Sequence, residues 1–255
     1  MTKLLTLMSS IKIDDVINLA KAAGDIHMHY YQKDNIAVNY KQDSSPVSVA
    51  DIESNNLICN TLAKLYPNIP IISEENHNPD IDHDIFWSID PLDGTKSFLN
   101  KKGEFTVNIG LVCNREPVMG VVYASLSNQL YYTAGDKIAY KQGVEKINAR
   151  EVPNDGAVVL TSVFFTNYDM LNEYLKNIKL NKIVQTSSAL KICLIAEGLA
   201  DLYPRFGQTM EWDTAAGHAI LNAAGGSIKD FEGNHLSYGH QEREYYNPNF
   251  IAKGK

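Results

Sequence analysis

The chain has few cysteines, no excess of basic residues, no long apolar run, and neither repeats nor low-complexity stretches. Each shortage removes a class of protein. Cys59, Cys113 and Cys193 are widely spaced and each follows an apolar residue, which suits buried reduced thiols rather than a disulfide framework or a cysteine-built zinc site. None of His27, His29, His77, His83, His218, His235 and His240 forms an i, i+4 pair on a Glu-rich helix, so histidine offers zinc no site either. A formal charge of −7 leaves no basic surface for tracking a phosphate backbone, which disfavours broad nucleic-acid binding. No stretch approaches the about 20 apolar residues of a membrane span. Met1 to Ile13 places one lysine before a short Leu-rich patch, with no small-residue cleavage site, so the expected location is the cytoplasm. The 255 residues, 44% hydrophobic, suffice for one large domain or two closely packed subdomains.

What is present is the stretch Ile85 to Phe98, which contains Asp90-Pro-Leu-Asp93-Gly-Thr95. Phe86, Trp87 and Ile89 favour a buried strand that delivers Asp90 to a sheet edge, where Pro91 removes a donor and ends ladder pairing. Asp93 projects from the same loop, and Gly94 permits a tight turn into a helix starting near Thr95. Acids beside free amides suit a divalent cation, with a phosphate resting on both cation and amides. Asp-Pro and Asp-Gly are equally ordinary turn dipeptides.

Along the chain, Val16, Leu19, Ala20, Ala23, His27 and Tyr31 recur at helical spacing. Residues 33–48 are polar and alternate at Ile36, Val38 and Tyr40, which predicts a short hairpin or arm able to cover a site. Ser48-Val-Ala-Asp51 opens the next helix as a capping-box variant, and capping explains Asp51 as well as chemistry does. Ile69 to Glu75 reads as a strand ending in adjacent acids, Glu74 and Glu75, which a solvated charge pair would also explain. Residues 76–84 read as a polar acidic loop. An antiparallel meander is predicted over 105–112, 118–123 and 130–133, followed by turns over 135–143 near a subdomain seam. Strand and helix signals then alternate: strands at 158–161 and 182–185, helices at 168–177 and 188–197, and an extended piece at 201–204. A small-residue helix with Asp213 at its N-cap follows, then two final strands.

Singly, each acid has a structural explanation. Together, Glu74, Asp90, Asp93 and Asp213 all fall at element ends, where side chains can meet at a rim. Carboxylates plus a backbone carbonyl such as that of Leu92 are hard oxygen donors, suited to magnesium or manganese far better than zinc. His218, inside the Asp213 helix, reads as a packed core histidine.

Glu74-Glu75, the run Asp90 to Thr95 and Trp212-Asp-Thr-Ala-Ala-Gly217 resemble the diagnostic motifs of the lithium-sensitive, magnesium-dependent inositol monophosphatase superfamily. The likeness spans nearly the whole chain. Within the superfamily, Gly103 to Ile109, Leu190-Lys-Ile-Cys-Leu-Ile-Ala-Glu-Gly198, Leu202-Tyr-Pro-Arg-Phe-Gly207 and Trp212 to His218 are similar to the bacterial 3′(2′),5′-bisphosphate nucleotidases of sulfate assimilation.

The resemblance implies an α+β fold, a five-layered αβαβα sandwich with metals between its halves. Residues 1–140 would carry most metal ligands, and 141–255 would carry Asp213 and the nucleotide-recognition residues. The implied reaction is hydrolysis of adenosine 3′,5′-bisphosphate to AMP and phosphate, with 3′-phosphoadenylyl sulfate as a further substrate. The alternatives are an inositol monophosphatase, a fructose-1,6-bisphosphatase or a regulatory protein-binding member. Two or three magnesium ions are implied, with manganese able to substitute. By position, Glu74, Asp90 and the Leu92 carbonyl would hold the first ion, and Asp90, Asp93 and Asp213 the second. Thr95, oriented by Asp51, would help deprotonate the attacking water. Substrate would meet Glu74, Leu92, Asp93, Gly94, Thr95, Ser188, Lys191, Arg205 and Asp213. The chain departs from the pattern at Ser162-Val-Phe-Phe165, where relatives carry Ser-Arg-Ser-His; Phe165 is then the candidate to stack on or pack against a base. Peripheral association with the inner membrane, and monomer against homodimer, stay open.

Overall fold

The computed structural model describes residues 9–33, 36–40, 46–76, 84–135, 137–142, 144–164 and 167–255. Phe165, residues 77–83 of the predicted acidic loop with His77 and His83, and the Leu-rich patch before Ser9 lie outside the described residues.

The apolar run before Asp90 forms β4 (Ile85–Asp93), buried from Ile85 through Leu92. Burial on both sides explains why it reads as a continuous apolar run rather than an alternating one. Its Trp87 and Ile89 join the cluster containing Val16, Leu19, Ile58 and Leu62, whereas Phe86 packs with Trp212 and Ala215. Strand alternation therefore points Asp90, in phase with Phe86, toward the Asp213 helix. The strand does not stop at Asp90. Its ladder to β5 (Thr106–Cys113) pairs Asp90 with Asn108, then shifts register and pairs Asp93 with Thr106. Pro91 is accommodated as a bulge rather than a terminator, because the missing N–H falls where the ladder is already interrupted.

β4 lies in a seven-stranded sheet ordered β3-β4-β5-β6-β7-β8-β9, formed by β3 (Ile71–Ser73), β6 (Glu116–Ala124), β7 (Gln129–Thr133), β8 (Ala139–Lys141) and β9 (Val144–Ile147) in addition to β4 and β5. β3 runs parallel to β4, and the other neighbours are antiparallel. The predicted meander is present, but β8 occupies the region expected to hold only turns; its three residues Ala-Tyr-Lys are too short to show a period. A second sheet, ordered β11-β10-β12-β14-β13, comprises β10 (Ala157–Ser162), β11 (Leu180–Thr186), β12 (Leu202–Arg205), β13 (Ser227–Asp230) and β14 (Phe250–Lys253). A small hairpin pairs β1 (Val38–Tyr40) with β2 (Pro46–Ser48), as the alternation at 36–40 predicts.

Helices α1 (Ile13–Tyr31) and α2 (Val49–Leu65) cover the outer face of the large sheet through Val16, Leu19, Ala23, Ile58 and Leu62. A five-residue α3 (Thr95–Leu99) follows β4. Between the sheets lie α5 (Leu190–Ala196) and α6 (Glu211–Ala223), whose Ile192, Ile195, Ala216 and Ile220 join Val122 and Tyr131 of one sheet to Leu160, Ile228 and Phe250 of the other. Helix α4 (Tyr168–Leu175) closes the outer face of the small sheet, with Leu175 against Ala157, Val159 and Leu202. The layers run αβαβα, as expected. Among the described residues no helix is long and apolar enough to cross a membrane.

The spacing between α6 and the large sheet is set by glycine. Gly110 and Gly120 face each other across β5 and β6, and a Cβ on Gly120 would sit 2.3 Å from the Ala216 carbonyl oxygen, one on Gly110 3.0 Å from the Ala216 nitrogen. These are backbone obstacles that no rotamer change relieves. Gly120→Ala should lower the unfolding free energy by roughly 1–3 kcal/mol through overpacking, read as a lower urea midpoint; an unchanged midpoint would mean that α6 does not rest on the sheet as described.

Candidate active site

The bulge between Asp90 and Asp93 is held by its own side chains. Asp90 Oδ1 accepts from the Leu92 N–H at 3.0 Å, and the Leu92 carbonyl shares the Thr95 hydroxyl proton with Asp51, its oxygen 3.2 Å from Thr95 Oγ1. Gly94 then turns with φ +93°, where a Cβ would also crowd the Glu104 carbonyl oxygen at 3.1 Å; only glycine adopts that turn cheaply. Thr95 begins α3 directly after it.

Asp51 caps its helix and also reaches Thr95. One oxygen, Oδ2, accepts from the Ser48 N–H at 2.8 Å and Oγ at 2.5 Å, capping α2. The other, Oδ1, accepts from Thr95 Oγ1 at 3.0 Å. Asp51 is 1% exposed. Burial, only partly offset by the Ser48 hydrogen bonds, pushes its pKa up to about 6.

Glu74 follows β3 immediately, and its N–H donates to the Ile89 carbonyl at 3.1 Å, which sets it beside Asp90 across the parallel pair. The turn it starts is tied to α2: Asn55 Oδ1 accepts from Ser73 Oγ at 2.7 Å, and Asn55 Nδ2 donates to Asn76 at 2.8 Å. Half-buried Cys59 joins this network by donating to Asn55 at 3.2 Å, so it is less enclosed than the apolar residue before it implies.

Asp213 is not the N-cap of its helix. Met210 is the extended residue there (φ −99°, ψ 161°), Glu211 and Trp212 are already helical, and Asp213, in the third helical position, accepts from the Met210 N–H at 2.9 Å. Its carboxylate therefore still satisfies an orphan donor of the first turn. His218, deeper in α6, is a buried core residue bonded through Nδ1 to the Tyr238 hydroxyl at 2.8 Å, and burial drives its pKa down to about 3.

Asp93 ties the two halves together, because its Oδ2 accepts from the Ala189 N–H, at the start of α5, at 2.6 Å. The same oxygen receives Asn108 Nδ2 at 3.4 Å, and Asn108 Oδ1 in turn accepts from Thr106 Oγ1 at 2.8 Å. Thr106 has spent its proton, so Ser188 donates to it at 2.6 Å. Ser188 itself sits at φ +63°, a strained conformation for a non-glycine residue.

These residues border a cavity of about 910 Å³ lined by Glu74, Asp93, Asp213, Lys191 and Arg205, together with Gly94, Thr95 and Ser188. Asp90 and Asp51 lie beneath its floor, each 1% exposed. Lys191 and Arg205 are buried as well, with Lys191 Nζ donating to the Ser188 carbonyl at 2.7 Å and Arg205 Nη2 to the Gln208 carbonyl at 2.9 Å. Ser162 and Phe164 supply part of the rim.

The acids raise one another's affinity for protons. Asp90 is held well above the usual carboxylate range by burial and by Glu74, Asp93 and Asp213, and it shares a hydrogen bond with Glu74. Asp213 is raised likewise by burial, Asp93 and Glu74. Burial also raises Asp93, opposed by Lys191 and the Ala189 N–H. On Lys191 burial outweighs the acids and lowers the pKa to about 8. Among the described residues no three His, Cys, Asp or Glu side chains stand in a closed ligand group. The chemistry of the donors nonetheless fits a hard dication: the charged groups acting most strongly on buried Asp90 are all acids, an arrangement that is costly unless a proton or a cation compensates it, and every donor is oxygen.

The chain belongs to the inositol monophosphatase family, whose pattern matches residues 11–254. It is similar to proteins named 3′(2′),5′-bisphosphate nucleotidase CysQ: the one from Buchnera aphidicola is 42% identical over 94% of this chain and 92% of its own length. The Escherichia coli K12 protein of that name is 42% identical over 93% of this chain and 98% of its own. The crystal structure of CysQ from Bacteroides thetaiotaomicron superposes with a TM-score of 0.81 at 34% identity, covering 94% of this chain and 95% of that one.

Sequence spacing does not mark Asn108, Asn55 or His27 for the site, since a lone polar residue inside an apolar pattern carries no signal of its distant partner. In chelator-containing buffer, the raised pKa values of Asp51, Asp90 and Asp213 give stability that is lost as pH rises from the ordinary 3.8 through the folded values. For Asp51, between 3.8 and about 6, this is on the order of 3 kcal/mol. Buried, neutral His27 and His218 pull the opposite way, so the comparison must be between variants. Asp213→Asn should stabilise the chelated protein more at about pH 7 than at about pH 4 in urea titrations; an equal gain at both would show that Asp213 is not held in the acids' field.

Proposed function

We propose that this chain is a magnesium-dependent phosphatase that hydrolyses the 3′-phosphate of adenosine 3′,5′-bisphosphate, giving AMP and phosphate. The observation that carries the reading is the polarity of one cavity: oxygen donors from Glu74, Asp93 and Asp213, with Asp90 beneath them, and two buried cations, Lys191 and Arg205, in the same lining. A substrate with two phosphates needs both. Glu74, Asp90 and the Leu92 carbonyl would hold one magnesium, and Asp90, Asp93 and Asp213 a second. When bound, such ions lower the pKa of water and neutralise phosphoryl oxygens.

The protein's own groups supply the rest. Thr95 Oγ1, held by Asp51 and the Leu92 carbonyl, accepts a proton from the attacking water while passing its own to Asp51; the P–O3′ bond breaks, and the released ribose oxygen takes a proton from solvent water. A pKa of about 6 suits Asp51 to that task near neutral pH. The Gly94 and Thr95 amides face the transferred phosphate, and Lys191, Arg205 and Ser188 take the other one. Phe164, at the rim, presents an apolar face to the nucleoside. The names carried by the CysQ relatives support the nucleotide over an inositol phosphate. In this reading 1–140 contributes Glu74, Asp90 and Asp93, and 141–255 contributes Asp213, Lys191 and Arg205.

Asp93→Asn should lower kcat/KM with magnesium by about a hundredfold or more while the protein stays folded by circular dichroism. A near-normal rate would remove Asp93 from the reaction. A panel of adenosine 3′,5′-bisphosphate, 3′-phosphoadenylyl sulfate, inositol 1-phosphate and fructose 1,6-bisphosphate decides the substrate. A higher kcat/KM for inositol 1-phosphate would overturn the proposal. A cellular phenotype that survives Asp93→Asn would point instead to a protein-binding role.

A further inference from the structure

His27 occupies a position in α1 whose helical neighbours on the same face, Leu19, Ala20 and Ala23, are apolar, and it is fully buried. An imidazole in such a place is costly unless both ring nitrogens are satisfied. Both are. Nε2 lies 2.9 Å from the Pro91 carbonyl oxygen and Nδ1 3.0 Å from Ser125 Oγ. A carbonyl only accepts, so Nε2 carries the hydrogen; Nδ1 is then bare and takes the Ser125 hydroxyl proton. Phe105 and Phe98 meet the ring edge-on, with centroids 5.8 and 6.3 Å away, and fix its plane. Burial drives the pKa down to about 4, in keeping with a neutral ring.

The Pro91 carbonyl belongs to the same rigid peptide unit as the Leu92 N–H. Its oxygen is held by His27, and its N–H is held by Asp90 Oδ1 at 3.0 Å. The register shift leaves Pro91 and Leu92 without ladder partners in β5, so the ladder cannot do this work. We propose that His27 is a positioning residue: by pinning the Pro91–Leu92 peptide from the far side of the sheet, it sets the direction of the Asp90 carboxylate and of the Leu92 carbonyl that follows. The inference rests on the proposed metal role of those two groups. It assigns to α1, in the outer layer, a part in cation binding that no cavity-lining residue reveals.

The test is calorimetric titration of Mn2+ into the wild-type protein, His27→Phe and His27→Gln. Phe fills the site without a donor, whereas Gln can still donate to the Pro91 oxygen. His27→Phe should weaken Mn2+ binding about tenfold, the loss usual for a group that orients a metal ligand. The Michaelis constant for magnesium should rise with little change in that for the bisphosphate, and His27→Gln should recover most of the affinity. A folded His27→Phe with wild-type affinity overturns the proposal. Ring 15N chemical shifts of the wild-type protein give a second reading: a hydrogen on Nε2 supports the pin, and a neutral Nδ1–H tautomer with Nε2 bare overturns it, even where His27→Phe fails to fold. Failure of the wild-type protein to bind Mn2+ at all would bring down the metal reading of Asp90, whereas tight binding by both wild type and His27→Phe would remove His27 alone.

Discussion

The whole arrangement depends on how closely α6 lies on the large sheet. Ala216 rests its backbone on Gly110 and Gly120, and on the other side Gly217 admits Ile192 of α5. With side chains in those places the helix would stand off, and Asp213 at its first turn would leave the field of Asp93 and Glu74. Backbone contact, rather than any polar bond, brings the last acid to the others. The small-residue run Thr-Ala-Ala-Gly after Asp213 is thus part of the site, although none of its side chains does chemistry.

That geometry is maintained against repulsion. Asp90 and Asp51 are buried, and Asp93 and Asp213 are partly so, under the influence of one another and of Glu74. Burying carboxylates near one another costs free energy. The apolar packing that offsets it is extensive on both faces of the large sheet, from Trp87 and Ile109 outward to Ile220 and Phe250 inward. Neutral hydrogen bonds refine the placement: Ser48 on Asp51, Asn108 and Ala189 on Asp93, and the Met210 N–H on Asp213. One oxygen of Asp93 and one of Asp213 is held in this way, which limits the directions in which the other can act, whereas both oxygens of Asp51 are held, by Ser48 and Thr95.

Much of this was legible in the sequence, because acids at the ends of elements are what strand and helix periodicity can locate. Glu74, Asp90 and Asp93 fell where the apolar runs of β3 and β4 gave out. The errors came where a local signal had two outcomes. Pro91 reads as a strand end, yet a bulge absorbs it, and only the partner strand decides between the two. Asp213 reads as a cap because Asp favours that place, but Glu211 and Trp212 had already taken helical conformation. Asp51 reads equally as a cap or as a site residue, and its two oxygens divide the contacts: one caps α2 and the other meets Thr95. His27 and Asn108 were beyond the reach of sequence spacing: the partner of His27 is 64 residues away, and nothing near it in the chain marks a polar contact.

The crowding of acids also bears on how this fold would age if its activity were no longer under selection. Any substitution that neutralises Asp90, Asp93 or Asp213 relieves repulsion at once, so drift and selection for robustness would both push the same way. A silent copy of such a gene should therefore lose these carboxylates first, while Gly110, Gly120 and the alanines of α6, which the architecture needs regardless, persist.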